Sequence, residues 1–139
     1  VVAILQPVVF SKVDYGLLVT FACFFIFVGN LKNIPQVSDT IIRLLNGHEF
    51  ECSLVLSQII SNVPTAVMLS GFTDNFKALI LGSDIGGLGT LIASLASLIT
   101  YKSYTNSENP DTRKFVRVFT LMNVIFLAVL FSYAKLFLL

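Results

Sequence analysis

Tryptophan is absent from this chain, histidine occurs once, cysteine twice, and charged side chains make up only 12% of its 139 residues. Soluble domains carry about 25% charge, so a surface that meets water on every side is not expected. His48, Cys23 and Cys52 form no CxxC and no metal-ligand spacing, which argues against a zinc site or a disulfide framework. With a net charge of +1 and no basic run, the electrostatic footprint of a nucleic-acid binder is missing. Glu49 and Glu51 have no recognisable acid–base partner, and no nucleophile–base pair stands at membrane depth. An intramembrane enzyme built on Asp84 would need a second carboxylate. No enzymatic activity and no cofactor are expected. The chain starts inside an apolar stretch, "VVAILQPVVF", without a signal-peptide pattern; it reads as a fragment of a longer protein.

What the chain has instead is hydrophobic length. Tyr15 to Leu31, Cys52 to Thr73 and Val118 to Ala134 are uncharged, and between Lys77 and Lys102 the only charge is Asp84. A helix needs roughly 17 to 25 apolar residues to cross a bilayer. A soluble amphipathic bundle would show polar faces at helical spacing, and "LLVTFACFFIFVG" shows none. The expected fold is an all-α integral membrane protein with spanning helices and an interfacial helix. Its segments are a span at 12–33, an interfacial helix at 36–47, an interrupted segment at 49–73 that either crosses the membrane or enters and returns to its own side, a broken span at 76–102, a loop at 103–112 and a last span at 113–139. In the second segment Ser38 is the expected N-cap and Gly47 the stop. Pro35 is expected to end any helix before it, and Lys77 and Lys135 to snorkel. Lys102, Arg113, Lys114 and Arg117 put loop 103–112 in the cytoplasm.

Two of the four apolar segments are interrupted. In "SQIISNVPTAV" the proline pushes Val63 away from helical geometry; in "GSDIGGLGT" glycines at 82, 86, 87 and 89 surround Asp84. In hydrocarbon every backbone polar group must be satisfied internally. A break is therefore tolerated only where protein or water covers it, as in the discontinuous helices that build midplane sites in secondary transporters. Ser61, Asn62 and Thr65 offer neutral oxygens, and Asp84 adds a charge costing at least about 2.5–3.5 kcal/mol at a helix centre. Each break also has a plain structural reading. Pro64 can be a kink, and Gly82 with Gly86 fits small-residue helix packing, which would suit a non-transporting membrane subunit. The polar 61–65 cluster and the glycine break, separated by a short turn, together favour a site.

The ordered pair "SQIISNVPTAVMLSGF" and "LILGSDIGGLGTLIASLASLITYK" resembles the carboxy-terminal repeat of the ion transporter superfamily, the citrate-transporter-like permeases, from about Lys12 to Lys102. That group includes divalent-anion/sodium symporters, arsenite permeases and sodium/proton antiporters. The resemblance implies half of an inverted-repeat transporter, in which a re-entrant hairpin tip meets a helix unwound mid-membrane. It implies three spanning helices and, at 49–73, a re-entrant helical hairpin entering from the outside, with Ser61 to Thr65 as its tip. Ser83, Asp84, Ile85, Gly86 and Gly87 would be the unwound stretch, with Gly89 and Thr90 starting the next half-helix. Substrate or cation would meet Ser61, Asn62, Thr65, Ser83, Asp84, Gly86, Gly87 and Thr90, with Na+ at Ser61, Asn62, Gly86 and Gly87. The implied partners are a small anionic substrate, Na+ or H+ as coupling ion, the lipid bilayer and the N-terminal repeat of the same protein, with a homodimer left open. Carboxylate/sodium symporters of the group carry Ser-Asn-Thr, whereas arsenite and sodium/proton relatives carry Asn-x-Pro-Thr. "SNVPT" stands between them, so anion uptake, arsenite efflux and Na+/H+ antiport all stay open.

Overall fold

The computed structural model describes residues 15–31 and 33–139. The apolar start "VVAILQPVVF" and Lys12, at the head of the span expected at 12–33, lie outside these residues. Among the described residues there are seven α-helices, one short 3-10 helix and no strand. They are α1 (Tyr15–Leu31), α2 (Pro35–Leu45), α3 (Glu49–Ile60), α4 (Asn62–Leu69), α5 (Phe76–Gly86), the 3-10 helix Leu91–Ala93, α6 (Leu95–Thr105) and α7 (Thr112–Phe137).

Polar side chains within the apolar helices mostly bond back to their own helix. Thr20 Oγ1 donates to Gly16 O at 2.8 Å, Asn30 Nδ2 to Ile26 O at 2.9 Å and Ser132 Oγ to Ala128 O at 2.8 Å. That is how a polar group is satisfied where no water is at hand. Among the described residues one helix, α7, is long and apolar enough by itself to cross a membrane. The 17 residues of α1 reach about 26 Å at 1.5 Å each, somewhat under the roughly 30 Å hydrocarbon core. Helix α2 leaves α1 at 95°. It starts at Pro35, with Ile34 rather than Ser38 as its N-cap. Pro35 therefore opens α2 and does not close α1, because a first-turn proline gives up an amide that has no intrahelical acceptor. Gly47, at φ +80°, follows α2 as the expected stop.

Helices α3 and α4 double back on each other. Thr73 Oγ1, beyond the end of α4, donates to Glu49 Oε1 at the start of α3 over 3.4 Å. The arms, of 12 and 8 residues, span only about 18 and 12 Å. The core is the seam where α3 lies on α5. A Cβ on Gly82 would stand 2.0 Å from Ser53 Oγ and 2.3 Å from Phe50 O, and one on Gly86 would stand 2.8 Å from Leu54 Cα. The two glycines therefore bring the helix backbones together, and the small-residue reading holds within this chain. Phe50, Leu54, Ala78, Ile85 and Ala134 pack along the seam; Leu45, Leu69, Phe72 and Leu79 form a second cluster toward α2. Lys135 pairs with Glu51, and Lys77 Nζ donates to Leu138 O at 2.5 Å. Both lysine heads thus have partners, in pairs made at the end of α7.

Candidate substrate and ion site

The hairpin turns on a single residue. Ser61 sits at φ +75°, ψ 154°, a region populated essentially by glycine and costing a side-chain-bearing residue about 1–3 kcal/mol. Its hydroxyl donates to Ala93 O at 3.4 Å. The five-residue tip expected at 61–65 is therefore corrected: Asn62, Val63, Pro64 and Thr65 are already helical. Pro64 lies in the first turn of α4, where its missing N–H leaves no acceptor wanting. Val63 is helical despite the proline after it, and its amide donates to Asn62 Oδ1 at 2.9 Å.

The second break is also displaced from its expected place. Ser83, Asp84, Ile85 and Gly86 form the last turn of α5, not an unwound stretch. Glycine weakens an unsupported helix by about 1 kcal/mol, but Gly82 and Gly86 are held against α3, and that packing keeps the turn. The chain is not α-helical over 87–94, a stretch that holds Gly89 at φ +108° and the 3-10 helix Leu91–Ala93. Gly89 and Thr90 belong to this break and do not start the next half-helix; α6 begins at Leu95 behind Ser94. Thr90 caps the 3-10 helix by accepting from Ala93 N at 3.2 Å.

The two breaks meet through a residue to which the sequence reading assigned no role. Gln58 Nε2 donates to Gly86 O at 2.5 Å and to Leu88 O at 2.8 Å. Gln58 Oε1 accepts from Thr90 N at 3.1 Å, and the backbone O of Gln58 accepts from Thr90 Oγ1 at 3.3 Å. Asn62 rests on Gly87, where a Cβ would come within 2.9 Å of Asn62 Nδ2. The available signal for Gln58 was a primary amide inside an apolar run three residues before a break. Such a group has two donors and an acceptor, enough to satisfy a stretch of open backbone.

The expected ligands divide into two groups. Ser61, Asn62, Gly86, Gly87 and Thr90 are brought together where the tip meets the break. Ser83 is turned away: it is buried, and its hydroxyl donates to Ile80 O at 3.1 Å. Asp84 is exposed, on the opposite side of the last turn of α5 from the buried seam residues Ile85 and Gly86. Thr65 is fully buried, and its hydroxyl is the one buried side-chain oxygen without a partner among the described residues. Leaving such a group unpaired costs about 1–3 kcal/mol. A cavity of about 390 Å³ adjoins the tip on the α1 side, lined by Phe21, Phe24, Ile92 and Leu98 with only Thr20 and Ser61 polar. Its lining suits an apolar group and not an anion. The polar atoms at the meeting point are neutral oxygens and amide N–H groups, the donor set of an alkali cation or a small anion rather than of a transition metal.

Over 126 residues, 91% of this chain, the sequence is 39% identical to a Methanocaldococcus jannaschii protein named as an uncharacterized transporter. Over 103 residues, 72% of the chain, it is 32% identical to the inner membrane protein YbiR of Escherichia coli. The chain is similar to membrane proteins, one of them a transporter by name. It spans about a third of their lengths, 35% and 28% respectively. Both matches are long enough to include residues 49–94 wherever they begin, so hairpin and break lie within the shared region. No family model matches the chain, and no solved structure matches it.

Proposed function

We propose that this chain is part of a secondary active transporter of the ion transporter superfamily type, moving a small anion coupled to Na+ or H+. The observation that carries the reading is the meeting of two backbone breaks, at Ser61 and at 87–94, inside two otherwise apolar segments. Buried breaks are expensive, and a protein needing only a scaffold would have no use for two of them face to face. The relatives' printed names, a transporter and an inner membrane protein, support it.

In this mechanism Na+ takes neutral oxygens from Ser61, Asn62 and the carbonyls of Gly86 and Gly87, while the anion takes the side chains of Asn62, Thr65 and Thr90. The unpartnered Thr65 hydroxyl is a group held for a ligand. Asp84, exposed on this chain, balances the cation or carries the proton. The other half of the site comes from an inverted repeat elsewhere in the same protein, and a homodimer is one assembly. The protein lies in the cell membrane as a multi-pass chain, with three spans including 76–102, loop 103–112 cytoplasmic and the hairpin entering from outside. The Asn-x-Pro-Thr order of residues 62–65 favours arsenite efflux or Na+/H+ antiport by the same fold as the second reading.

The test is uptake into proteoliposomes carrying the whole protein, screened across citrate, dicarboxylates, sulfate and arsenite with and without a sodium gradient. Asn62→Ala and Asp84→Asn are expected to abolish gradient-driven flux. Wild-type uptake by both variants would remove the site.

A further inference from the structure

We propose that Gln58 is the positioning residue of this site, the single side chain that holds the unwound backbone of the broken helix open and in register with the hairpin tip. Its amide is oriented without ambiguity. Two carbonyls, Gly86 O and Leu88 O, lie on the nitrogen side, and the Thr90 N–H lies on the oxygen side, so a flipped amide would face like against like at all three. Three backbone groups freed by the break are satisfied by one residue, which in hydrocarbon removes the need for water there. Thr90 Oγ1 returns a bond to the Gln58 carbonyl, and Gly89 has no side chain because a Cβ would stand 2.5 Å from Gln58 Oε1. The last turn of α3 and the break are therefore one unit. The carbonyls of Gly86 and Leu88 are aimed at Gln58, and any ion that takes the Gly86 oxygen uses its second lone pair or displaces the amide nitrogen.

The uptake part of the test rests on the transport reading; the labelling part does not. In the whole protein with Cys23→Ser and Cys52→Ser, Leu88→Cys reports the water accessibility of the break by its rate of thiol labelling. Gln58→Ala is expected to raise that rate about tenfold, the loss of one or two net hydrogen bonds. Gln58→Glu should do the same near pH 8, where a carboxylate cannot donate to either carbonyl. Near pH 5 its rate should return to within about twofold of the Gln58 protein at that pH, since a carboxyl facing two carbonyls in an apolar site is neutral and again has one donor and one acceptor. Of the elements packed here, α4 and the 3-10 helix carry no ionisable residue and α5 brings Asp84 near this end. Asp84 is common to both proteins, and the comparison at equal pH cancels its contribution. In uptake, Gln58→Glu should show the same recovery with acid, mainly in KM. Labelling unmoved by Gln58→Ala, or a Gln58→Glu protein that stays altered at pH 5, overturns the proposal. Wild-type protein that takes up nothing while the labelling pattern holds sinks the transport reading and leaves the positioning role standing.

Discussion

The α3–α5 seam and helix α7 are built from similarly apolar sequence and meet opposite fates. Along the seam, Ser53, Ser57 and Ser83 are buried beside Gly82 and Gly86, and each hydroxyl bonds to a carbonyl three or four residues back on its own helix. On α7, Leu121, Val124, Ile125, Phe126 and Val129 are exposed, and only Ala134 is buried. Hydrophobicity therefore does not mark the core of this chain. Where lipid or further protein is the surroundings, large apolar side chains can face outward as on α7, and the seam buries serines and glycines beside Phe50 and Leu54 because small residues let backbones approach.

That contrast can be broken or sharpened by substitution. The largest effect is expected at the seam. Gly82→Val must displace the Phe50 carbonyl or push α3 off α5, and should abolish folded protein in detergent, seen as loss of the monodisperse peak. Gly82→Ala should still cost about 1–3 kcal/mol by overpacking, read from thermal unfolding. Thr65→Val tests the unpartnered hydroxyl. Its removal is expected to raise stability by about 1 kcal/mol while weakening substrate or cation affinity; unchanged affinity would make Thr65 a plain core residue. Ser61→Gly relieves the positive φ, for a gain of up to about 1 kcal/mol in the same unfolding assay, with flux lowered by loss of the hydroxyl. Glu51→Gln removes the partly exposed pair with Lys135 and should cost under about 1 kcal/mol, an effect that shrinks with added salt. The smallest effect is expected on α7, where Ile125→Leu should shift stability by less than about 0.5 kcal/mol.

How much could be read beforehand differs between the breaks. Positive φ at Ser61 was not legible, because serine carries no mark for it, and the proline three residues on marks a bond that stays helical. The glycine run did mark a weak helix, but not which glycines would be spent on packing. Gly82 and Gly86 face α3 and stay helical; Gly89 faces Gln58 and does not. That division depends on a neighbour 30 residues away in the chain, and so did the role of Gln58. The doubling back of α3 and α4 likewise rests on a contact between distant residues, Thr73 lying beside Glu49.

The sequence by itself determined that this chain is helical and made for an apolar surround, since uncharged runs of this length leave the backbone no other way to satisfy its hydrogen bonds. It also determined that two runs would break, because proline and clustered glycine weaken a helix whatever lies around it. Only the tertiary structure decided where the breaks fall and what they face. Those outcomes turn on how closely α3 approaches α5 and on which open carbonyls come within reach of one glutamine, and neither distance is encoded in any single stretch of chain.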